Sequence, residues 1–112
     1  MKKAGKASRV TGKLEKRIDQ TSYLTGKQLG GILKEEVWYQ GQAVIKYSLA
    51  YINTRVCGVD NGRVLGYDNS HGEHHRHVMG RVEPVEFSSY EKLVDRFQAE
   101  VEEIWRQDGK KK

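Results

Sequence analysis

Cysteine, proline and long apolar runs are scarce in this chain, and each shortage removes a class of explanation. Cys57 is the only cysteine, so no disulfide closes within the chain and a reducing cytoplasm is the expected compartment. No apolar run approaches the ~18 residues that a membrane span needs. No apolar stretch follows the basic N-terminus, so a signal peptide is not expected. The spacing Gly, four residues, Gly-Lys-Ser/Thr, which cradles phosphates, is absent. Thr25-Gly26-Lys27 and Gly30-Gly31 therefore read as turns. There is no cysteine pair and no His-Glu-x-x-His, two of the more specific zinc signatures. Internal repeats are not visible.

What is present suits one small domain. The chain has 112 residues, 37% hydrophobic and 31% charged, a folded and rather polar composition rather than a disordered one. That length suffices for one real core. The formal charge of +5 is unevenly spread. Residues 1–17 carry Lys2, Lys3, Lys6, Arg9, Lys13, Lys16 and Arg17 against Glu15 alone, and Lys110, Lys111 and Lys112 end the chain. The body between them is net acidic. Basic ends of this kind solvate more often than they read nucleic acid, although they would help hold phosphate if the target is RNA. Residues 1–13 read as a basic, mobile arm, residues 14–109 as a single domain and 110–112 as a basic tail.

Periodicity fixes the fold class. Leu14 and Ile18 fit a short helix or a first strand equally well. Val37, Trp38 and Tyr39 favour a strand. From Ala43 to Ile52 the odd positions Ala43, Ile45, Tyr47, Leu49 and Tyr51 form one apolar face. Asp60-Asn61-Gly62 supplies hairpin turn residues, and Arg63 to Asp68 returns as a strand. Asn69 to His74 forms a loop, and His75 to Met79 rises as a further strand, with Gly80 at a bulge or kink. The only proline, Pro84, cannot donate to a ladder and marks an edge or a strand end. Ser88 and Glu91 have capping-box spacing. Tyr90, Leu93, Val94, Phe97, Val101, Ile104 and Trp105 then make one stripe on a helix of about 17 residues that completes the core, with Gly109 placed to end it. The expectation is an α+β domain: an antiparallel meander of about four strands with a C-terminal helix on one face.

All four histidines lie between His71 and His77. Imidazole titrates near neutral pH and also binds metals. In a strand, His75 and His77 share a face, and two imidazoles can serve as general base and general acid for RNA cleavage. A guanidinium would stabilise the charged phosphorane. Arg76 is adjacent in sequence but alternation aims it away, so Arg81 or Lys46 are other candidates. Asp68 is placed to orient a histidine. A zinc module built from His71, His74, His75 and His77, with Asp68 nearby, is a second reading. A third is structural: Tyr67-Asp68-Asn69 closing a turn, with exposed histidines beyond. Trp38, Tyr47 and Tyr51 are of the type that stacks bases, but rings in strands usually fill cores. Cys57 beside Arg55 shows no activating base.

Tyr67-Asp68-Asn69, a short Gly-containing loop and then His75-Arg76-His77 resemble the signature of the TumE-like toxin family of bacterial toxin–antitoxin systems. Lys46 to Ile52 and Phe87-Ser88-Ser89 with Leu93, Phe97 and Val101 extend the resemblance over about residues 43–106, the N-terminal third contributing nothing. The resemblance implies a small cytoplasmic toxin neutralised by an antitoxin. It carries over Tyr67, Asp68, Asn69, His75, Arg76 and His77. With the residue chemistry, it points to a metal-independent ribonuclease: His75 and His77 transfer protons, Arg76 or another cation serves phosphate, Asp68 orients, and Tyr67, Asn69, Lys46 and Arg81 contact substrate. A non-catalytic binding or regulatory protein, or a zinc module, would be the alternatives. An exposed edge near Pro84 or an uncovered sheet face is where a homodimer would form.

Overall fold

The structure, a computed structural model, describes residues 13–110. The basic arm before residue 13 and the tail beyond 110 lie outside the described residues. Six strands follow one another: β1 (Glu15–Tyr23), β2 (Ile32–Gln40), β3 (Ala43–Ile52), β4 (Arg63–Asp68), β5 (His75–Val78) and β6 (Arg81–Pro84). They form one antiparallel sheet in sequence order. One helix, α1 (Tyr90–Lys110), lies against one side. The α+β meander with a C-terminal helix is thus as expected, with six strands in place of about four.

Both additional strands lie at the edges. Strand β1 is exposed along nearly its whole length, so it carries no apolar alternation to announce it. Only Ile18, opposite Val37 across a bulge, turns toward the core. Strand β6 is separated from β5 by Met79 and Gly80, at φ +48 and +87. Two successive positive φ values make the tight turn whose twist matches a hairpin, so Gly80 is a turn residue rather than a bulge. Pro84 ends this edge strand.

The core lies between the sheet and α1. Val37, Tyr47, Leu49, Tyr51, Leu65 and Tyr67 from the strands meet Leu93, Phe97 and Val101 from the helix. Of the odd β3 positions, Tyr47, Leu49 and Tyr51 are buried, whereas Ile45 is exposed, because a bulge pairs Tyr39 with Val44 and puts Val44 on the core side in its place. Phe97 meets Tyr67 edge-on, with centroids 6.3 Å apart, and Trp105 meets Tyr51 in the same way at 6.0 Å. Trp105 Nε1 is buried without a hydrogen-bond partner. Asn53, 1% exposed, ties together the long β3–β4 connection. Its amide side chain donates to the Tyr51 hydroxyl and accepts from Arg55 N. Its carbonyl accepts from Val56 and Cys57. Cys57 is buried and its thiol donates to the Val59 carbonyl.

The helix differs from expectation at both ends. Its cap is Ser89 rather than Ser88: Ser89 Oγ accepts from the amide of Lys92 at 3.1 Å. The residue at the third helical position is then Lys92, so the reciprocal half of a capping box is missing. At the other end the helix, 21 residues long, runs through Gly109, because one glycine weakens a helix by only about 1 kcal/mol.

Candidate active site

The register divides the histidines between two faces. His75 pairs with Asp68 and His77 with Gly66, while Asp68 pairs with Ser48 and Gly66 with Ala50. Side chains alternate along each strand. Asp68, His75, His77 and Ser48 therefore stand on the open face, away from α1. Arg76 and Tyr67 stand on the helix side. His75 and His77 have ring centroids 6.5 Å apart.

His77 is held at both nitrogens. Nε2 lies 2.8 Å from Asp68 Oδ2, and Nδ1 lies 3.2 Å from Nη2 of Arg63. A guanidinium can only donate. Nδ1 is therefore the acceptor, and the ring proton sits on Nε2 and points at Asp68. Arg63 in turn donates from Nε to Asp60 at 2.8 Å. His75 is much freer, its nearest ionic neighbour being Glu73 at 3.8 Å.

Arg63 was not among the residues singled out in the sequence, and a bulge explains why. Tyr51 pairs with Leu65 but Ile52 pairs with Arg63, so Val64 is an extra residue. Strict alternation from Asp68 puts Arg63 on the helix side; the bulge turns it to the open face. Gly66 gives it room. A Cβ there would lie 2.8 Å from Arg63 Cδ and 3.1 Å from the Leu49 carbonyl.

The other expected residues separate. Arg76 binds Glu83 at 2.8 Å and Glu100 at 3.3 Å and donates to the Tyr67 hydroxyl at 3.1 Å. Burial opposes its charge, but the hydrogen bonds to Glu83 and Glu100 outweigh that and raise its pKa further. It lies across the sheet from His75 and His77. Tyr67 is fully buried and donates to Glu100 at 2.6 Å. Burial and the Glu100 carboxylate push its pKa up to about 12. Arg81 is exposed on β6, paired with Val78 on the helix-side row. Lys46 is on the open face, its Nζ 4.7 Å from the centre of the Trp38 ring.

Asn69 closes the end of the sheet. Its Oδ1 accepts from Tyr47 N and its Nδ2 donates to the Ile45 carbonyl, each at 3.0 Å. The side chain replaces a strand partner for β3 and leaves one N–H and one lone pair of the amide unused. Asn69→Ala is expected to lower stability by about 1–3 kcal/mol, the usual cost of unpaired backbone groups. Urea denaturation at constant m-value checks it; a change below a few tenths of a kcal/mol would contradict this role.

The four histidines form no common ligand set. His74 is on the helix side, stacked on Phe87 at 4.1 Å and 5° and bonded through Nδ1 to the Tyr47 hydroxyl at 2.8 Å. Burial pushes that hydroxyl's pKa up to about 12. His71 lies in the exposed loop. Among the described residues no group of three or more His, Cys, Asp or Glu side chains is placed to hold a metal ion.

The sequence profile described as Toxin TumE matches residues 9–105, which takes in every strand and most of α1. The chain belongs to the TumE toxin family. It is accordingly a toxin of a toxin–antitoxin system, and membership implies an antitoxin partner. The match also corrects the extent of the resemblance. The N-terminal third contributes: the match takes in β1 and β2 as well as the later strands. No match was found among curated proteins or solved structures. Among the described residues, no helix is long and apolar enough to cross a membrane.

Proposed function

We propose that this toxin cleaves RNA by metal-independent acid–base chemistry on the open face of its sheet, in the cytoplasm where its antitoxin restrains it. The observation that carries this reading is the placement of His75 and His77 side by side, with Asp68 fixing the second ring. The free imidazole of His75 takes the proton of a ribose 2′-hydroxyl. The 2′-oxygen attacks the adjacent phosphorus, and the bond to the 5′-oxygen breaks. That oxygen takes its proton from His77 Nδ1, which has first been protonated by solvent. Two donors cannot share one hydrogen bond, so protonation of Nδ1 turns Arg63 away from the ring. The freed guanidinium then serves the phosphorane oxygens, the task first assigned to Arg76. The products are a 2′,3′-cyclic phosphate and a 5′-hydroxyl. The separation of the histidines onto two faces suits proton transfer better than shared metal ligation.

The test is incubation of purified, untagged protein with total RNA in excess chelator, with end-group analysis of the fragments. Cleavage with cyclic phosphate ends is expected. No cleavage of any RNA, or cleavage only on addition of a divalent metal, would overturn the proposal. One observation favours a second reading, toxicity by binding alone: both nitrogens of His77 are occupied. Induced expression separates the two. If the His75→Ala/His77→Ala double variant, at equal soluble level, arrests growth as the wild type does, the toxin acts by binding.

A further inference from the structure

Trp38 is out of place as a core residue. Its strand neighbours Val37 and Tyr39 pack toward the helix, whereas Trp38 belongs to the open-face row Lys16–Trp38–Lys46, paired across β1, β2 and β3. It is half-buried and is not among the residues packed on the core. What covers the ring is charge: Lys46 Nζ at 4.7 Å and Lys16 Nζ at 5.1 Å from its centre. Lys16 is anchored by Glu36 at 2.9 Å and Asp19 at 3.2 Å. Lys46 holds no carboxylate among the described residues.

We infer that Trp38 with Lys46 is a nucleotide subsite for single-stranded RNA, in which a base stacks on the indole and Lys46 takes the neighbouring phosphate. This rests on the proposed RNA chemistry and extends it by naming where the strand is held. An indole offers a flat face to any base, and a lysine within reach of the backbone adds charge without sequence preference. Lys46 is the mobile cover. It exchanges its ring contact for a phosphate and uncovers one face, while Lys16 stays on its two carboxylates. The subsite is remote from the cleavage point. His75 aligns through Asp68 and Ser48 with Glu36, three strand spacings or roughly 14 Å across the sheet. Trp38 lies two residues farther along β2, roughly 7 Å. The bound strand crosses the open face from the histidines, over Ser48, to the indole. Specificity at Trp38 is therefore for an unpaired base, since a base inside a duplex has no free face to offer.

The probe is a short 2′-O-methyl oligouridylate at low salt. It lacks the 2′-hydroxyl nucleophile, so binding is read whether or not the protein cleaves RNA, and failure of the cleavage reading is seen separately with unmodified RNA. Trp38→Ala should weaken binding about 5- to 150-fold, the range for loss of one stacked base, and Trp38→Phe, which keeps a ring, by less. A second readout leaves position 38 intact. In a Trp105→Phe background, which removes an indole N–H that has no partner, Trp38 is the only tryptophan. Its fluorescence should be quenched on titration with the probe. An unchanged Kd for a folded Trp38→Ala variant, absence of quenching at saturation, or no binding of the probe by the wild type would each overturn the assignment.

Discussion

His75→Ala should leave the protein folded and slow RNA cleavage by about 10²- to 10⁴-fold, the usual worth of a positioned acid or base. Folding should survive because the His75 side chain makes only weak contacts, the 3.8 Å approach to Glu73 and the edge contact with the His77 ring. His77→Ala should behave differently. That ring joins Asp68 to Arg63, so its loss removes a proton donor and one hydrogen bond from each of two charged groups, Arg63 keeping its bond to Asp60. Cleavage should fall by a similar factor, and stability should fall by about 1–3 kcal/mol. The contrast is measured by single-turnover cleavage together with urea denaturation of each variant. The pH–rate profile adds a third readout, because loss of one of two titrating groups turns a bell into a single limb. Full activity in a folded His75→Ala variant would remove this histidine from the chemistry. Loss of activity in proportion to loss of fold would make the pair structural.

The face-sharing of His75 and His77 was legible because alternation in a strand needs no tertiary information. So was Asp68 as the carboxylate for one of them, since it ends the strand that precedes the histidine loop. The β3 core face, the Asp60-Asn61-Gly62 turn and the amphipathic helix were legible for the same reason: each pattern is local. What was illegible depended on pairing. Strand β1 is exposed at every position but Ile18, so its sequence is free to be polar, and only the ladder with β2 reveals it. Arg63 reaches His77 because one extra residue, Val64, reverses the facing of β4; no local signal announces that bulge. The internal bonds of Tyr67 and Asn69 were not legible either. Polar atoms on both suggested recognition, yet each is used inside the protein, one on Glu100 and the other on the β3 backbone. Trp38 was illegible in the opposite sense, an apolar residue on the face that lacks a helix.

Arg76→Ala should be the most damaging substitution among the charged side chains, by about 2–4 kcal/mol. The side chain is the hub of the helix-side polar network. It ties Glu83 of β6 and Glu100 of α1 to the Tyr67 hydroxyl, and Arg96 also binds Glu100 at 3.3 Å. Its removal leaves the Glu100 carboxylate beside a buried phenol with only Arg96 to balance it. The loss should fall somewhat below that of a fully buried pair, because Arg76 keeps 20% and Glu83 45% of their side-chain exposure. Lysine should not rescue it, since a single ammonium cannot span both carboxylates as a planar fork does. Arg76→Met combined with Glu100→Gln should recover much of the loss, because unpairing a partly buried charge costs more than removing both charges. Denaturant midpoints of the single and double variants measure this directly. A loss under about 1 kcal/mol in Arg76→Ala would contradict the network's weight. A collapse of cleavage in a fully stable Arg76 variant would return this guanidinium to the chemistry that sequence adjacency first suggested. The geometry predicts the reverse: activity per folded molecule should persist in Arg76→Met and vanish in His75→Ala, because one residue acts from the helix side and the other from the open face.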